Sequence, residues 1–300
     1  MTVSSERQSA SRGRLVKVGL IVGFLALLAG VLAARGRPAT GYEVSLYTQT
    51  PTAFWGGVGV AIAAGGLAAL GANGRARDGG LVLTGLSILS VAALPIVRGY
   101  YFYGAGDSLS HLGWAREIAA GTLEPTNLLY PGVHTTTVFV GTVFDVPLTT
   151  AMLYVVLVAY MLVFVLFVPL CVQLLDGSRR AVAIGLLAAL LFIPINNVSV
   201  HPFAHPASQA ILFFPFVLYL TLRYVTRRPW AGSSIDRVTA LGVLLALTTT
   251  AVVLIHPQQA LNVVVVFVAV VAVQVVYRVW RSGHPITSHR PLYAQTALLV

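Results

Sequence analysis

Of the 300 residues, 57% are hydrophobic and only 9% are Asp, Glu, Lys or Arg, against about 25% charged in an ordinary globular domain. So few charges cannot coat a water-exposed surface, and a mean hydropathy of +0.84 excludes a soluble fold in favour of a polytopic membrane protein. The net charge of +10 does not make a nucleic-acid binder, because the basic residues sit in short clusters between apolar runs rather than on one solvated face.

A helix needs about 20 apolar residues to cross the hydrocarbon core. Eight runs qualify, at 15–34, 54–71, 80–97, 147–174, 181–199, 207–224, 238–255 and 259–279. They predict an all-α, polytopic transmembrane helix bundle with a basic N-terminus at 1–14, a hairpin at 15–79 and a core at 80–300. No run alternates with a period of two, which argues against a transmembrane barrel. The first run is followed by Arg35 and Arg37 rather than a small-residue cleavage site, which reads as a retained helix. Gly56, Gly57, Gly59, Gly65 and Gly66 in the second predict close helix packing. Pro169, Pro194 and Pro215 lie in or near spans and predict kinks. The single Cys171 sits inside an apolar run, leaving no internal disulfide and no cysteine-based zinc site.

Lys and Arg resist translocation and so set orientation. With the N-terminus cytoplasmic, 15 of the 19 basic residues fall on that side and only Arg35, Arg37, Arg98 and Arg116 fall outside. The location implied is the cell membrane, with the basic surface facing the cytoplasm. The apolar stretch Tyr130 to Val146 is read as non-spanning, because a crossing there would reverse the later basic loops. Its opening Tyr130-Pro131-Gly132, its three consecutive threonines Thr135 to Thr137 and its end at Asp145-Val146-Pro147 suit a short interfacial helix. Ser108 to Ala120 reads the same way, with Trp114 as an interfacial anchor and Gly121 as the stop. The loop 98–146 is therefore an extracytoplasmic platform carrying two short helices.

On this topology His111, His134, His201, His205 and His256 lie outside, together with Glu43, Asp107, Glu117, Glu124 and Asp145. Burying helices in lipid requires none of them, so they are candidates for function. The sharpest element is Gly104-Ala105-Gly106-Asp107-Ser108-Leu109-Ser110-His111, where a spacing of four puts Asp107 and His111 on one helix face. The carboxylate could deprotonate a hydroxyl or bind a metal ion beside the imidazole. Alternatively Asp107 only caps the helix, a role at which Asp is among the best residues.

A span, then Gly-Asp at the outer surface, an amphipathic helix ending Arg116-Glu117-Ile118-Ala119-Ala120-Gly121, then Tyr130-Pro131-Gly132-Val133-His134 opening a second short helix and a long span closing with Ser178-Arg179-Arg180, resembles the C-superfamily of polytopic membrane glycosyltransferases. The resemblance covers roughly 80 to 256. It implies a polyprenyl-phosphate sugar donor, an acceptor of unspecified kind (lipid, glycan or protein) and Asp107 as the catalytic acid of the first outer loop. The loop has one Asp where some members have a pair, and the hairpin of spans one and two is additional.

His201-Pro202-Phe203-Ala204-His205-Pro206 and His256-Pro257-Gln258-Gln259 each stand where a span ends outside, and a residue before Pro is biased away from helix. These side chains either bind diphosphate or sugar hydroxyls, or merely end helices at a wet interface. A zinc site from His201, His205 and His256 is a further arrangement, though no His-Glu-x-x-His occurs. Arg98 and Arg116 are snorkelling residues or a phosphate clamp. Taken together these residues imply inverting sugar transfer, with Asp107 as base or as holder of a divalent ion. His111, Arg116, His134, His201, His205, His256 and Gln258 are the candidate substrate-binding residues. A transporter without catalysis and a polysaccharide polymerase or ligase are the alternatives. Pro291 to Val300 begins a ninth apolar run too short to cross, which points to a continuation of the chain.

Overall fold

The computed structural model describes residues 2–192, 203–226, 239–281 and 283–299. In chain order its α-helices are α1 (Thr2–Arg35), α2 (Leu46–Gln49), α3 (Thr52–Gly71), α4 (Gly74–Ala92), α5 (Leu94–Val97), α6 (Ser108–Ala119), α7 (Gly132–Phe144), α8 (Leu148–Leu153), α9 (Tyr160–Leu175), α10 (Arg179–Phe192), α11 (Pro206–Thr226), α12 (Ala240–Ile255), α13 (Pro257–Trp280) and α14 (Tyr293–Leu299). Among the described residues there is no strand. Five segments are long and apolar enough to cross a membrane: Gly13–Arg35, Thr52–Gly71, Leu148–Leu175, Pro206–Thr226 and Pro257–Trp280.

The other three expected spans do not meet that length and composition among the described residues. The run at 80–97 breaks into α4 and α5, since Pro95 has no N–H to donate and its ring clashes with the carbonyl four residues back; α4 also carries Arg75, Arg77 and Asp78 in its first turns. The run at 238–255 yields a helix of 16 residues, about 24 Å long. The run at 181–199 is helical to Phe192, and its remainder lies outside the described residues.

The chain divides into two compact units. The first holds residues 1–105 and 149–203, and so includes the hairpin. Its α1, α3 and α4 pack on a core of Leu27, Phe54, Val58, Leu83 and Leu94. Small residues let the backbones approach: a Cβ on Gly65 would lie 2.9 Å from the Gly80 carbonyl oxygen, and one on Gly80 would lie 2.6 Å from that of Gly65. Gly57 meets the Ala26 carbonyl in the same manner, whereas Gly56 and Gly59 face open space. Leu148–Leu175 is a continuous 28-residue helical segment that passes through a π-helical stretch at Tyr154–Ala159 and contains Pro169.

The chain between α1 and α3 is tied to the end of α5. Arg98, only 2% exposed, donates from Nη1 and Nη2 to the two oxygens of Glu43 at 2.6 Å each and from Nε to the Arg37 carbonyl at 3.0 Å. Tyr100 donates its hydroxyl to Glu43 as well. The Arg98 fork holds the Glu43 carboxyl below its usual range, against the opposing effect of burial. With all its charge engaged in this pair, Arg98 is a structural tie and not a phosphate clamp.

The second unit holds residues 106–148 and 204–300. Its core is Val217, Leu220, Leu245, Val252, Val263, Phe267 and Leu292, contributed by α11, α12, α13 and the segment before α14. Gln274 and Arg278 on α13 donate to the carbonyls of Arg290 and His289, fastening that segment back on the helix. The two short helices of the loop lie within a residue or two of their expected bounds. Gly121 ends α6 at φ +70, a conformation open to glycine, and Asp145 ends α7 in the left-handed region at φ 50.

A histidine cluster as candidate functional site

Gly132 sets the geometry. A Cβ there would stand 2.9 Å from the Leu254 carbonyl oxygen, so only glycine lets the first turn of α7 rest on the last turn of α12. That contact brings Tyr130 to His256, with ring centroids 5.5 Å apart, and turns His134 inward from α7. On the facing helix α6, His111 also points in. The two imidazoles, 23 residues apart in sequence, meet at 3.0 Å between His111 Nδ1 and His134 Nε2. Both are buried, at 1% and 0% exposure. Trp114 closes one side edge-on, 5.2 Å from His111 and 5.5 Å from His134. Tyr130 stands beside both rings.

Asp107 occupies the N-cap position of α6, yet its side chain makes no capping hydrogen bond. The carboxylate turns instead toward His111, with Oδ2 3.3 Å from Nε2 and the Asp side chain 54% exposed. The approach is out of line for a formed hydrogen bond, leaving Nε2 without a partner, so it is an ion–dipole contact that a small rotation would convert into a hydrogen bond. The reading of Asp107 as a mere helix cap is therefore not what the side chain does.

The protonation state follows from the surroundings. Burial pushes the His111 pKa down, with the nearby Asp107 charge opposing it. Burial, then the His111 ring, takes His134 down to about 4. Both rings are neutral near pH 7, and one proton is shared across the 3.0 Å contact. If His111 donated it, the bare Nε2 lone pair would face the Asp107 carboxylate. With His134 Nε2–H donating to His111 Nδ1, the His111 Nε2–H is directed at Asp107, while the Tyr130 and Pro131 carbonyls beside His134 favour a proton on that ring. His134 Nδ1 is then left buried without a partner.

His205 and His256 belong to the same unit and act on the pair electrostatically: both, when charged, push the His111 pKa down. His256 is itself lowered, by burial first and then by His205. His256 is extended at φ −163 between α12 and α13, as a residue before proline should be. His205 precedes α11, donating its N–H to Gln209 Oε1 at 3.0 Å. Arg116 and Gln258 are exposed on α6 and α13, and His201 lies outside the described residues. Among the described residues no group of three His, Cys, Asp or Glu is arranged to hold a metal ion. Trp114 and Tyr130 were not singled out as site residues by the sequence. Their spacing to the histidines, i+3 from His111 and i−4 from His134, is the signal that places each on the same helical face or turn as its histidine. No protein-family model matches the chain, and neither a curated protein nor a solved structure matches it.

Proposed function

We propose that this chain is a multi-pass protein of the cell membrane, N-terminus cytoplasmic, that transfers a sugar from a polyprenyl-phosphate donor to an acceptor hydroxyl with inversion. The observation that carries the reading is the side chain of Asp107: exposed, unused as a cap, and backed by a buried neutral His111–His134 pair. In this mechanism the acceptor oxygen attacks the anomeric carbon as the carbon–oxygen bond to the donor phosphate breaks. Asp107 takes the hydroxyl proton, and the polyprenyl phosphate departs with the bonding pair. His111 is a positioning residue, its Nε2–H steadying the carboxylate while His134 fixes the His111 ring. His205 and His256 supply imidazoles that can donate to the departing phosphate, and Arg116 adds a cation on the same short helix.

The test is an assay of the full chain in membranes with radiolabelled polyprenyl-phosphate sugars. Transfer of label to an acceptor fraction, with release of polyprenyl phosphate, is the expected result. Failure of every donor in the panel under conditions where the protein is folded would sink the reading.

A further inference from the structure

In the first compact unit, the segment that follows α1 and the segment that follows α5 face each other across a cleft of about 690 Å³, within the size range of small-molecule sites. Seven of the sixteen described residues lining it are Tyr or Phe, in a chain only 10% aromatic. We infer that this cleft binds a neutral, polyhydroxylated ring, a sugar or short glycan segment, through the faces of Tyr42, Tyr47, Tyr100, Tyr101 and Tyr103. The inference goes beyond the transfer chemistry assigned to Asp107 and does not depend on it.

Charge, polarity and ring geometry select that ligand class. The carboxylate lining the cleft is Glu43, and it is neutralised by the bidentate Arg98, so a cation gains no unpaired anion there. The same pair occupies the Arg98 guanidinium, and no Lys or Arg lines the cleft among its described residues, so an anion gains no free cation. A hydrocarbon tail would cover the exposed hydroxyls of Thr40 and Tyr42 without hydrogen-bonding them. A pyranose has apolar C–H faces for ring stacking and hydroxyls for these groups. Among the described residues Glu43 Oε1 accepts from Arg98 Nη2, and a carboxylate oxygen has a second lone pair for a sugar hydroxyl.

The rings are also held in place. Tyr47 stacks on Trp55 at 5.6 Å, and Trp55 Nε1 donates to the Tyr47 carbonyl. Tyr103 meets Tyr100 edge-on at 5.7 Å. Aromatic residues of an ordinary membrane belt point outward to headgroups; here Tyr47 and Tyr103 are half-buried and line a concavity.

The experiment uses the purified full chain in a detergent free of glycosides, titrated with neutral methyl glycosides and disaccharides, inorganic phosphate and choline, and read by ligand-observed NMR. A saturable neutral-sugar signal is expected, with neither phosphate nor choline competing. Tyr42 and Tyr101 are 95% and 76% exposed, so the double variant Tyr42→Ala/Tyr101→Ala should fold normally. It should bind about tenfold more weakly, the loss of two ring contacts. Sugar binding unchanged in that variant, preference for phosphate or choline, or no binding at all each overturns the proposal. Sugar binding without any transfer sinks the transferase reading and leaves the cleft; transfer without sugar binding does the reverse.

Discussion

At Asp107 a general base and a helix cap make opposite demands on Asn. Asn caps nearly as well as Asp, and this side chain makes no capping bond, so Asp107→Asn should leave thermal stability unchanged. As a base, Asp107 contributes about 10² to 10⁴ in rate, and radiolabel transfer should fall by that factor; near-normal turnover would return Asp107 to a structural role. His134 gives a pH signature. In the unfolded chain its imidazole titrates at 6.5 and in the fold at about 4. Above pH 6.5 neither state is protonated and stability is complete. Between 6.5 and 4 the unfolded chain takes up a proton that the fold refuses, so stability falls as pH falls through that window. His111 is shifted in the same direction. Denaturant midpoints measured across this range should decline, and His134→Gln, which keeps a donor but cannot titrate, should flatten the decline. An identical slope in that variant would refute the assignment.

Pairs and turns explain what the sequence made legible at the level of elements. Short helices at 108–119 and 132–144 were readable because their stops are local, at Gly121 and at Asp145 with its following proline. The i,i+4 approach of Asp107 to His111 was readable for the same reason. The His111–His134 contact and the Glu43–Arg98 pair join residues 23 and 55 positions apart; no spacing rule reaches them, because tertiary packing creates them. Gly132 is the test of that packing. Gly132→Ala drives a methyl into the Leu254 backbone, which cannot yield as a side chain would, and should destabilise by about 1–3 kcal/mol while separating Tyr130 from His256. Gly113→Ala on α6, where a Cβ meets open space, should be neutral or stabilising by up to about 1 kcal/mol. Equal effects of the two substitutions on chemical denaturation would remove the α7–α12 contact as the organiser of the cluster. Glu43→Gln strands the buried Arg98 charge and should cost about 3–5 kcal/mol, read in the same denaturation assay; a loss under 1 kcal/mol would show the pair to be dispensable.

Across the whole molecule, the composition made the helical, membrane-embedded class legible, while five of the eight expected spans appear among the described residues as helices long and apolar enough to cross, since hydropathy registers a run of apolar residues whether or not a proline interrupts it or the helix stops short. Orientation rests on the distribution of Lys and Arg and is open to direct measurement. Ser110 and Ser178 are both exposed and the native Cys171 is buried, so single cysteines at the two serines report cleanly, whereas Ser208, 2% exposed, would not. An impermeant thiol reagent should label Ser110→Cys in intact cells and Ser178→Cys only after permeabilisation. The reverse pattern would move the Asp107 loop to the cytoplasm and end the case for an outer-face reaction.

The 28-residue segment Leu148–Leu175 is about 42 Å long at helical rise, some ~12 Å more than a typical hydrocarbon core. Thr52–Gly71, in the same compact unit, has 20 residues and is about 30 Å long, a match to that core. A bilayer that fits the shorter helix is too thin for the longer segment standing upright, so the longer one leans or bends, with its π-helical stretch and Pro169 as places to bend. Lipid acyl length thus sets the tilt of one helix against its neighbour: longer chains let Leu148–Leu175 stand more upright as they outgrow Thr52–Gly71.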